Sequence, residues 1–464
     1  MDMLMFQLQR NDAQPLYQQL YEAIKQAIID GTIPVGTKLP SKRKLAEFLA
    51  ISQTTVEFAY HQLVAEGFIE SRARRGFYAQ PLEKLAYIEA APVEEPDDEP
   101  ITYRFDFNSA AIDRASFPFT TWRKLAKDVF HEANSDLLLS GHPQGDEALR
   151  FEISQYLYQS RGVTCSADQI IIGSGTEQLL PLLIRLFGRK IVYGYENPGY
   201  PLTHSIFDHH DRESVPLPVD DDGLLIEALE ASPVEIAYVT PSHQFPTGAV
   251  LSARRRTQLL NWAVADNGRY IIEDDYDSEF RYTSRPIPAL QSLDVSDRVI
   301  YLSTFSKSLM PSLRIAYMVL PKSLLPFYQE TFRYYSSSVP RFDQQLVARF
   351  MKDGHFSRHL NRMRKLYEKK RDWLIDALAP YRDSITLSGG QAGMHLVLTV
   401  DMGLTEEELV DRAREAGIRI AGMSAYYVGA PPSTLPRVVL GFSGMEKDEM
   451  EEAAHLLLQC WKTA

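Results

Sequence analysis

The run Arg298-Val299-Ile300-Tyr301-Leu302-Ser303-Thr304-Phe305-Ser306-Lys307-Ser308-Leu309-Met310-Pro311-Ser312-Leu313-Arg314 decides how this chain is read. A β-rich segment leads into hydroxyl residues, one lysine, and an arginine seven positions later. A lysine that is to form an imine needs a fixed, partly dry position, where its pKa falls toward neutrality. Thr304, Ser306 and Arg314 offer what a phosphate needs: short neutral donors and a planar fork. Taken alone, the run reads equally well as a surface lysine after a strand.

The sequence around it separates the two readings. Strand-like runs alternate with helical ones at residues 169–172, 190–193, 235–239, 270–272, 299–302 and 315–319. That alternation predicts a mostly parallel sheet covered on both faces. From about Pro321 a long helix is expected to lead to a smaller α/β region with a strand at 437–442 and a last helix near 450–460. In such sheets ligands sit at the carboxyl ends of the strands, and the polar motifs fall there. Gly173-Ser174-Gly175-Thr176-Glu177-Gln178 follows one strand and opens a helix, an arrangement that binds anions. Glu196-Asn197-Pro198-Gly199-Tyr200 follows the next. Ser242-His243-Gln244-Phe245-Pro246-Thr247-Gly248 and Glu273-Asp274-Asp275-Tyr276 end two more.

In order and spacing these motifs resemble the fold-type I aminotransferases. The resemblance implies a large, mostly parallel sheet domain and a small C-terminal α/β subdomain, with pyridoxal phosphate bound covalently to Lys307. By motif position Ser174, Gly175 and Thr176 hold the cofactor phosphate together with Arg314. Tyr200 stacks on the ring, a job for a flat apolar face. Asp274 keeps the ring nitrogen protonated, which makes the ring an electron sink, and Tyr276 meets its phenolic oxygen. Phe245 stands where the family's Asn-Pro-Thr-Gly turn has asparagine, so His243 or Gln244 is assigned to that oxygen instead. Glu273 and Asp275 read as acids merely solvated at a strand end.

Residues 1–80 read differently. Residues 15–31 form a helix whose Leu16, Leu20, Ile24 and Ile28 share a face. Ser41 caps a second helix, and Ser52 caps a third that closes at Gly67. Phe68 to Tyr78 alternates around a basic turn and reads as a two-stranded wing. Three short helices and a basic hairpin suggest a winged helix-turn-helix, or else a small packing module. The third helix would enter the major groove with Gln53, Thr54 and Thr55 leading, while Arg72, Arg74 and Arg75 meet phosphates or the minor groove. Leu39-Pro40-Ser41-Lys42-Arg43-Lys44-Leu45-Ala46, Ser52-Gln53-Thr54-Thr55-Val56 and Ala65-Glu66-Gly67-Phe68-Ile69 resemble the GntR-type regulators. There, positions matching Ser41, Arg43, Thr54, Thr55 and Gly76 touch DNA, and Gln53 replaces a usual arginine.

Both halves, in this order, resemble the MocR regulators, which fuse a GntR-like head to an aminotransferase-like body. The expected domains are 1–80 and 101–464. They are joined by an acidic, proline-containing linker at 81–100, which reads as an extended connector or an ordered strap.

Composition agrees. The net charge of the 464 residues is −12, yet residues 1–80 hold nine Lys/Arg against eight Asp/Glu, so the head is not repelled by nucleic acid as the body is. Two distant cysteines suit a reducing cytoplasm and exclude a cysteine-based metal site. No metal ligands are expected, nor a signal peptide or membrane span. The resemblance implies a homodimer, with the head of one chain resting on the body of the other. Two function classes remain open: a regulator sensing pyridoxal phosphate, alone or as an adduct with an amine, and a working aminotransferase with a DNA-binding head. Lys307 could shuttle protons in the second. Two positions weaken it. Val439 stands where aminotransferases place the arginine for the substrate carboxylate, with Arg437 two residues earlier. Leu202 stands where GABA-responsive members have arginine. The regulator reading fits control of vitamin B6 or amino-acid metabolism genes.

Overall fold

The protein is described by a computed structural model covering residues 8–9, 14–81, 102–282, 287–432 and 434–462. The chain divides into two compact units, residues 1–99 and 100–464. The acidic stretch expected to link the domains lies outside the described residues, Pro81 excepted.

In the first unit α1 (Leu16–Ile29), α2 (Lys42–Leu49) and α3 (Gln53–Ala65) precede an antiparallel pair, β1 (Ile69–Arg72) and β2 (Gly76–Ala79). The caps are those the sequence suggests: Ser41 Oγ accepts from the Lys44 amide at 3.3 Å, and Ser52 Oγ from the Thr55 amide at 3.0 Å. Leu20, Ile24 and Ile28 of α1 pack with Val56, Ala59, Tyr60 and Leu63 of α3. Each buried aliphatic side chain contributes on the order of 1.5–3 kcal/mol. Leu16 is only half-buried.

The second unit begins with β3 (Phe105–Asp106), α4 (Phe119–Val129), α5 (Glu147–Arg161), β4 (Ile170–Gly173) and α6 (Thr176–Phe187). It continues with β5 (Tyr193–Asn197), α7 (Pro201–His209), β6 (Ser214–Asp220), β7 (Gly223–Leu224), α8 (Ile226–Glu230), β8 (Ile236–Val239) and α9 (Ala253–Val264). Next come β9 (Tyr270–Asp275), β10 (Val299–Thr304) and β11 (Ala316–Val319). These strands form an eight-stranded sheet in the order β4-β11-β10-β9-β8-β5-β6-β7. The pairs from β10 to β6 are parallel, while β11 is antiparallel to both its neighbours. The inner strands β8, β9, β10 and β11 are buried along nearly their whole length; β8 and β11 are apolar throughout, while β9 and β10 open apolar and end in polar residues.

Two expectations need correction here. The strand read at 190–193 begins only at Tyr193. The single long helix after Pro321 is three: α10 (Leu325–Thr331), α11 (Arg341–Lys352) and α12 (His355–Leu378). Pro340 precedes α11, and Gly354, with φ +69°, separates α11 from α12.

The chain then builds β12 (Ile385–Ser388), β13 (His395–Val400), α13 (Glu406–Glu415), β14 (Ile418–Arg419), β15 (Ala421–Gly422), β16 (Arg437–Gly441) and α14 (Lys447–Lys462). An antiparallel sheet, β12-β13-β16-β15, packs with α12 and α14 through Leu374, Leu396, Leu440 and Trp461. β3 pairs in parallel with β14, so the start of the unit is tied to this small subdomain. Among the described residues, no helix is long and apolar enough to cross a membrane.

Candidate functional site

A cavity of about 300 Å³ opens at the carboxyl ends of β4, β9 and β10. It brings together Gly175, Thr176, Tyr200, Asp274, Tyr276, Thr304, Ser306, Lys307 and Arg314, residues spread over 140 positions of sequence. Phe245, Asp277 and Pro311 from the same motifs complete the wall, together with Ser109, Ala110, Thr240 and His395 from segments the sequence did not flag.

Lys307 follows β10 on a turn. Its Nζ donates to the Ser109 carbonyl at 2.6 Å. Burial lowers its pKa to about 8, partly offset by Asp277. An amine near that value is about one-fifth neutral at physiological pH, far more than an ordinary lysine, and that fraction can attack a carbonyl.

Asp274 is the fifth residue of β9. Its Oδ2 accepts the hydroxyl of Tyr238 from the adjacent strand β8, while its Oδ1 is buried with no partner among the described residues. Burial, with neighbouring Asp275, Asp277 and Glu273, pushes its pKa up to about 7 against the pull of the Tyr238 hydrogen bond. An orphaned carboxylate oxygen is costly. A protonated ring nitrogen supplies the partner it lacks, and in this respect the residues fit pyridoxal phosphate.

The anion end is equally specific. Arg314 adopts a left-handed backbone, φ +51°, a conformation costing roughly 1 kcal/mol for a non-glycine residue. Its guanidinium pairs with Glu177 in the first turn of α6. Gly175, with φ +151°, caps that helix, and a Cβ there would collide with both the guanidinium and the Glu177 carboxylate. Thr304 Oγ1 lies 2.9 Å from Ser306 Oγ, and the two hydroxyls complete the cradle. Ser174 is set back from it; its amide donates to Gln178 Oε1 at 3.3 Å.

His243 stands one layer behind the wall. Its Nδ1 is 2.9 Å from Asp277 Oδ2 and 3.0 Å from the Tyr276 hydroxyl. A proton on Nδ1 goes to the carboxylate, which frees the Tyr276 O–H for the cavity. His243 therefore reaches the cavity through Tyr276 and Asp277. Gln244 is spent on the turn: its Nε2 donates to the Pro198 carbonyl at 2.8 Å, and its Oε1 accepts from Thr247 Oγ1 at 2.6 Å. Phe245, in the asparagine position, packs edge-on against Tyr200, Tyr276 and Tyr426. His395 lies beside it, neutral because burial lowers its pKa to about 4, and bonded through Nε2 to the Pro246 carbonyl at 2.9 Å.

Glu273 and Asp275, read as solvated acids, are fully buried. Glu273 accepts the amides of Leu290 and Gln291 at 2.7 and 2.8 Å. Asp275 pairs with Arg161 at 2.8 Å and accepts from Tyr301 at 2.5 Å. They anchor the strand that presents Asp274. Arg437 lies outside this cavity, on another hollow beside Tyr427, whose hydroxyl it reaches at 3.1 Å.

On the first unit, Gln53 and Thr54 are exposed at the start of α3, while the Thr55 hydroxyl is 2.7 Å from Ser52 Oγ within the cap. Ser41 and Arg43 flank the start of α2, where Arg43 sits 3.6 Å from Glu47. Arg72 donates to Glu70 at 2.9 Å and lies over the Tyr78 ring. Arg74 and Arg75 stand exposed at the hairpin tip, before Gly76 with φ +105°.

Residues 104–457 match the family of class I and II aminotransferases, and residues 16–79 match the bacterial regulatory proteins of the gntR family. The chain is 43% identical to the uncharacterized HTH-type transcriptional regulator YdeL of Bacillus subtilis, over 97% of each chain. It is 33% identical to the probable rhizopine catabolism regulatory protein MocR of Rhizobium meliloti, over 98% of this chain and 95% of that one. Identity to the pyridoxine biosynthesis transcriptional regulator PdxR of Corynebacterium glutamicum is 31%, over 93% of each. Among solved structures, the Pyrococcus horikoshii kynurenine aminotransferase in complex with PMP aligns with TM-score 0.68 and 26% identity, over 77% of this chain and 90% of that one.

Proposed function

The chain belongs to the MocR-type transcriptional regulators, in which a GntR-type helix-turn-helix is joined to a class I and II aminotransferase body, and from that premise we propose that its body senses pyridoxal phosphate and passes the state of the site to the DNA-reading head. The observation that carries the sensor is Asp274 Oδ1, buried and without a partner among the described residues, in the cavity it shares with a lysine of depressed pKa. When bound, the cofactor supplies an aldehyde and an electron-withdrawing ring. Lys307 offers the neutral amine, and Asp274 holds a proton at the ring nitrogen. Tyr276 donates to the phenolic oxygen, Tyr200 covers the ring, and Arg314 with Gly175, Thr176, Thr304 and Ser306 binds the phosphate.

The head reads promoter DNA through Gln53 and Thr54, with Ser41, Arg43, Thr55, Arg72, Arg75 and Gly76 setting its register on the backbone. A head with so few positive charges binds weakly alone, so a homodimer reading two half-sites, with swapped heads and a cytoplasmic location, completes the proposal. Control of vitamin B6 or amino-acid metabolism genes is part of it. Turnover of amino acids is less supported: among the lining residues described, Arg314 is the sole guanidinium, and the cofactor phosphate claims it. The test is to titrate pyridoxal phosphate into apoprotein on promoter DNA. A change in mobility or affinity is expected, and an unchanged complex overturns cofactor sensing. Rapid single-turnover conversion of the bound cofactor by an amino acid would favour the enzyme instead.

A further inference from the structure

Resting on that reading of the site, we propose that Glu177 is a built-in competitor for the ligand's phosphate, and so sets the affinity with which pyridoxal phosphate is sensed. Glu177 lies in the first turn of α6, on the lip of the cavity, and its carboxylate is paired with the Arg314 guanidinium. A Cβ on Gly175 would strike both groups, so the pair closes directly over the glycine that keeps the cradle open. Arg314 and Lys307 are the cations among the lining residues described, and Lys307 is set back beside Ser109. A phosphate dianion entering the cradle must therefore take Arg314 from Glu177.

The physical chemistry sets the size of the effect. The two side chains are 45% and 50% exposed. An ion pair in that setting is weak and breaks readily. Glu177 can thus swing into water, and the competition tunes binding without forbidding it. Once displaced, the carboxylate still stands close to the phosphate, where like charges repel at the intermediate dielectric of a protein surface. Both effects disfavour a phosphorylated ligand and leave an unphosphorylated one untouched. The plain alternative is that Glu177 is an acid at a helix N-terminus, favoured there by the dipole. That role affects stability and not phosphate discrimination.

Binding of pyridoxal phosphate and of pyridoxal, which lacks the phosphate, separates the two. It is measured by absorption titration on full-length apoprotein: wild type, Glu177→Gln and Glu177→Ala. Thermal melting of each confirms that it folds. Both variants should bind pyridoxal phosphate about threefold to fivefold more tightly, the upper part of the range expected for removing one competing surface charge. Affinity for pyridoxal should change less than twofold, and inorganic phosphate should protect the variants from melting at lower concentration than it does wild type. Equal affinity for pyridoxal phosphate in all three overturns the proposal and leaves the cofactor reading intact. So does looser binding in a folded variant, or an equal gain for pyridoxal. A wild type that takes up neither ligand overturns both.

Discussion

Tyr238 on β8 donates its hydroxyl hydrogen to Oδ2 of Asp274 on β9, and in doing so holds the carboxylate with Oδ1 free of partners among the described residues. The two strands pair in parallel, Tyr238 beside Ile272, so the contact is fixed by sheet register as well as by rotamer choice. Removing the hydroxyl with Tyr238→Phe should weaken pyridoxal phosphate by roughly tenfold, since a hydrogen bond to a charged group is worth about 1.5–3 kcal/mol. Asp274→Ala should weaken it by much more. Absorption titration of both variants checks the order, and equal losses would contradict it.

Lys307 sets a pH dependence. Its folded pKa of about 8 lies below the ordinary lysine value of 10.5 because burial disfavours the charged amine. Imine formation needs the neutral form. Uptake of pyridoxal phosphate should therefore strengthen as pH rises through 8, with up to about tenfold less neutral amine for each unit below it. Titrations between pH 6.5 and 9 test this.

The same shift gives a stability prediction of opposite sense to most lysines. Between the folded and unfolded pKa values the unfolded chain binds more protons, so stability rises with pH from about 8 to 10.5. Below about 8 the buried charge costs the fold a constant amount. Lys307→Met should then raise apoprotein stability by roughly 1–3 kcal/mol at neutral pH, with the gain shrinking toward alkaline pH. Denaturant melts at pH 7 and pH 10 measure the difference.

Lys370 and Asp113 form a buried pair at 2.5 Å, and the ammonium also meets the Ser443 carbonyl at 3.2 Å. The pair fixes the segment that presents the Ser109 carbonyl to Lys307. Asp113→Ala leaves the buried ammonium with only the Ser443 carbonyl and the exposed Glu446 carboxylate at 3.3 Å, and about 2–3 kcal/mol of stability should be lost. Weaker cofactor uptake should accompany it. Melting and titration of the one variant read both effects.

On the head, Arg75→Ala should weaken binding to all DNA alike and flatten the salt dependence by about one unit of slope. Thr54→Ala should lose discrimination between sequences instead. Mobility shifts on promoter and scrambled DNA over a salt series distinguish them.

The candidate site was legible where its chemistry is local. Gly175-Thr176, Asp274-Asp275-Tyr276 and Ser306-Lys307 each sit at one strand end, and the topology of a parallel sheet gathers such ends at one edge. What was not legible depends on distant partners. Glu273 and Asp275 read as solvated because nothing nearby announces Arg161, 114 positions away, or the amides of Leu290 and Gln291. His395 and Ser109 enter the wall from segments of ordinary composition. The pairing of Glu177 with Arg314 joins residues that no spacing rule connects. Among the elements, β6 escaped notice because Pro216 and Pro218 argue against a strand, yet it lies near the sheet edge, with only two-residue β7 beyond it.

Absorption spectroscopy of the purified full-length protein before and after pyridoxal phosphate, beside Lys307→Ala, tests the central claim most directly. A new band near the visible edge in wild type, absent from the variant, is the expected result. A wild type whose spectrum is only the sum of protein and free cofactor contradicts the assignment of Lys307 and, with it, the sensor.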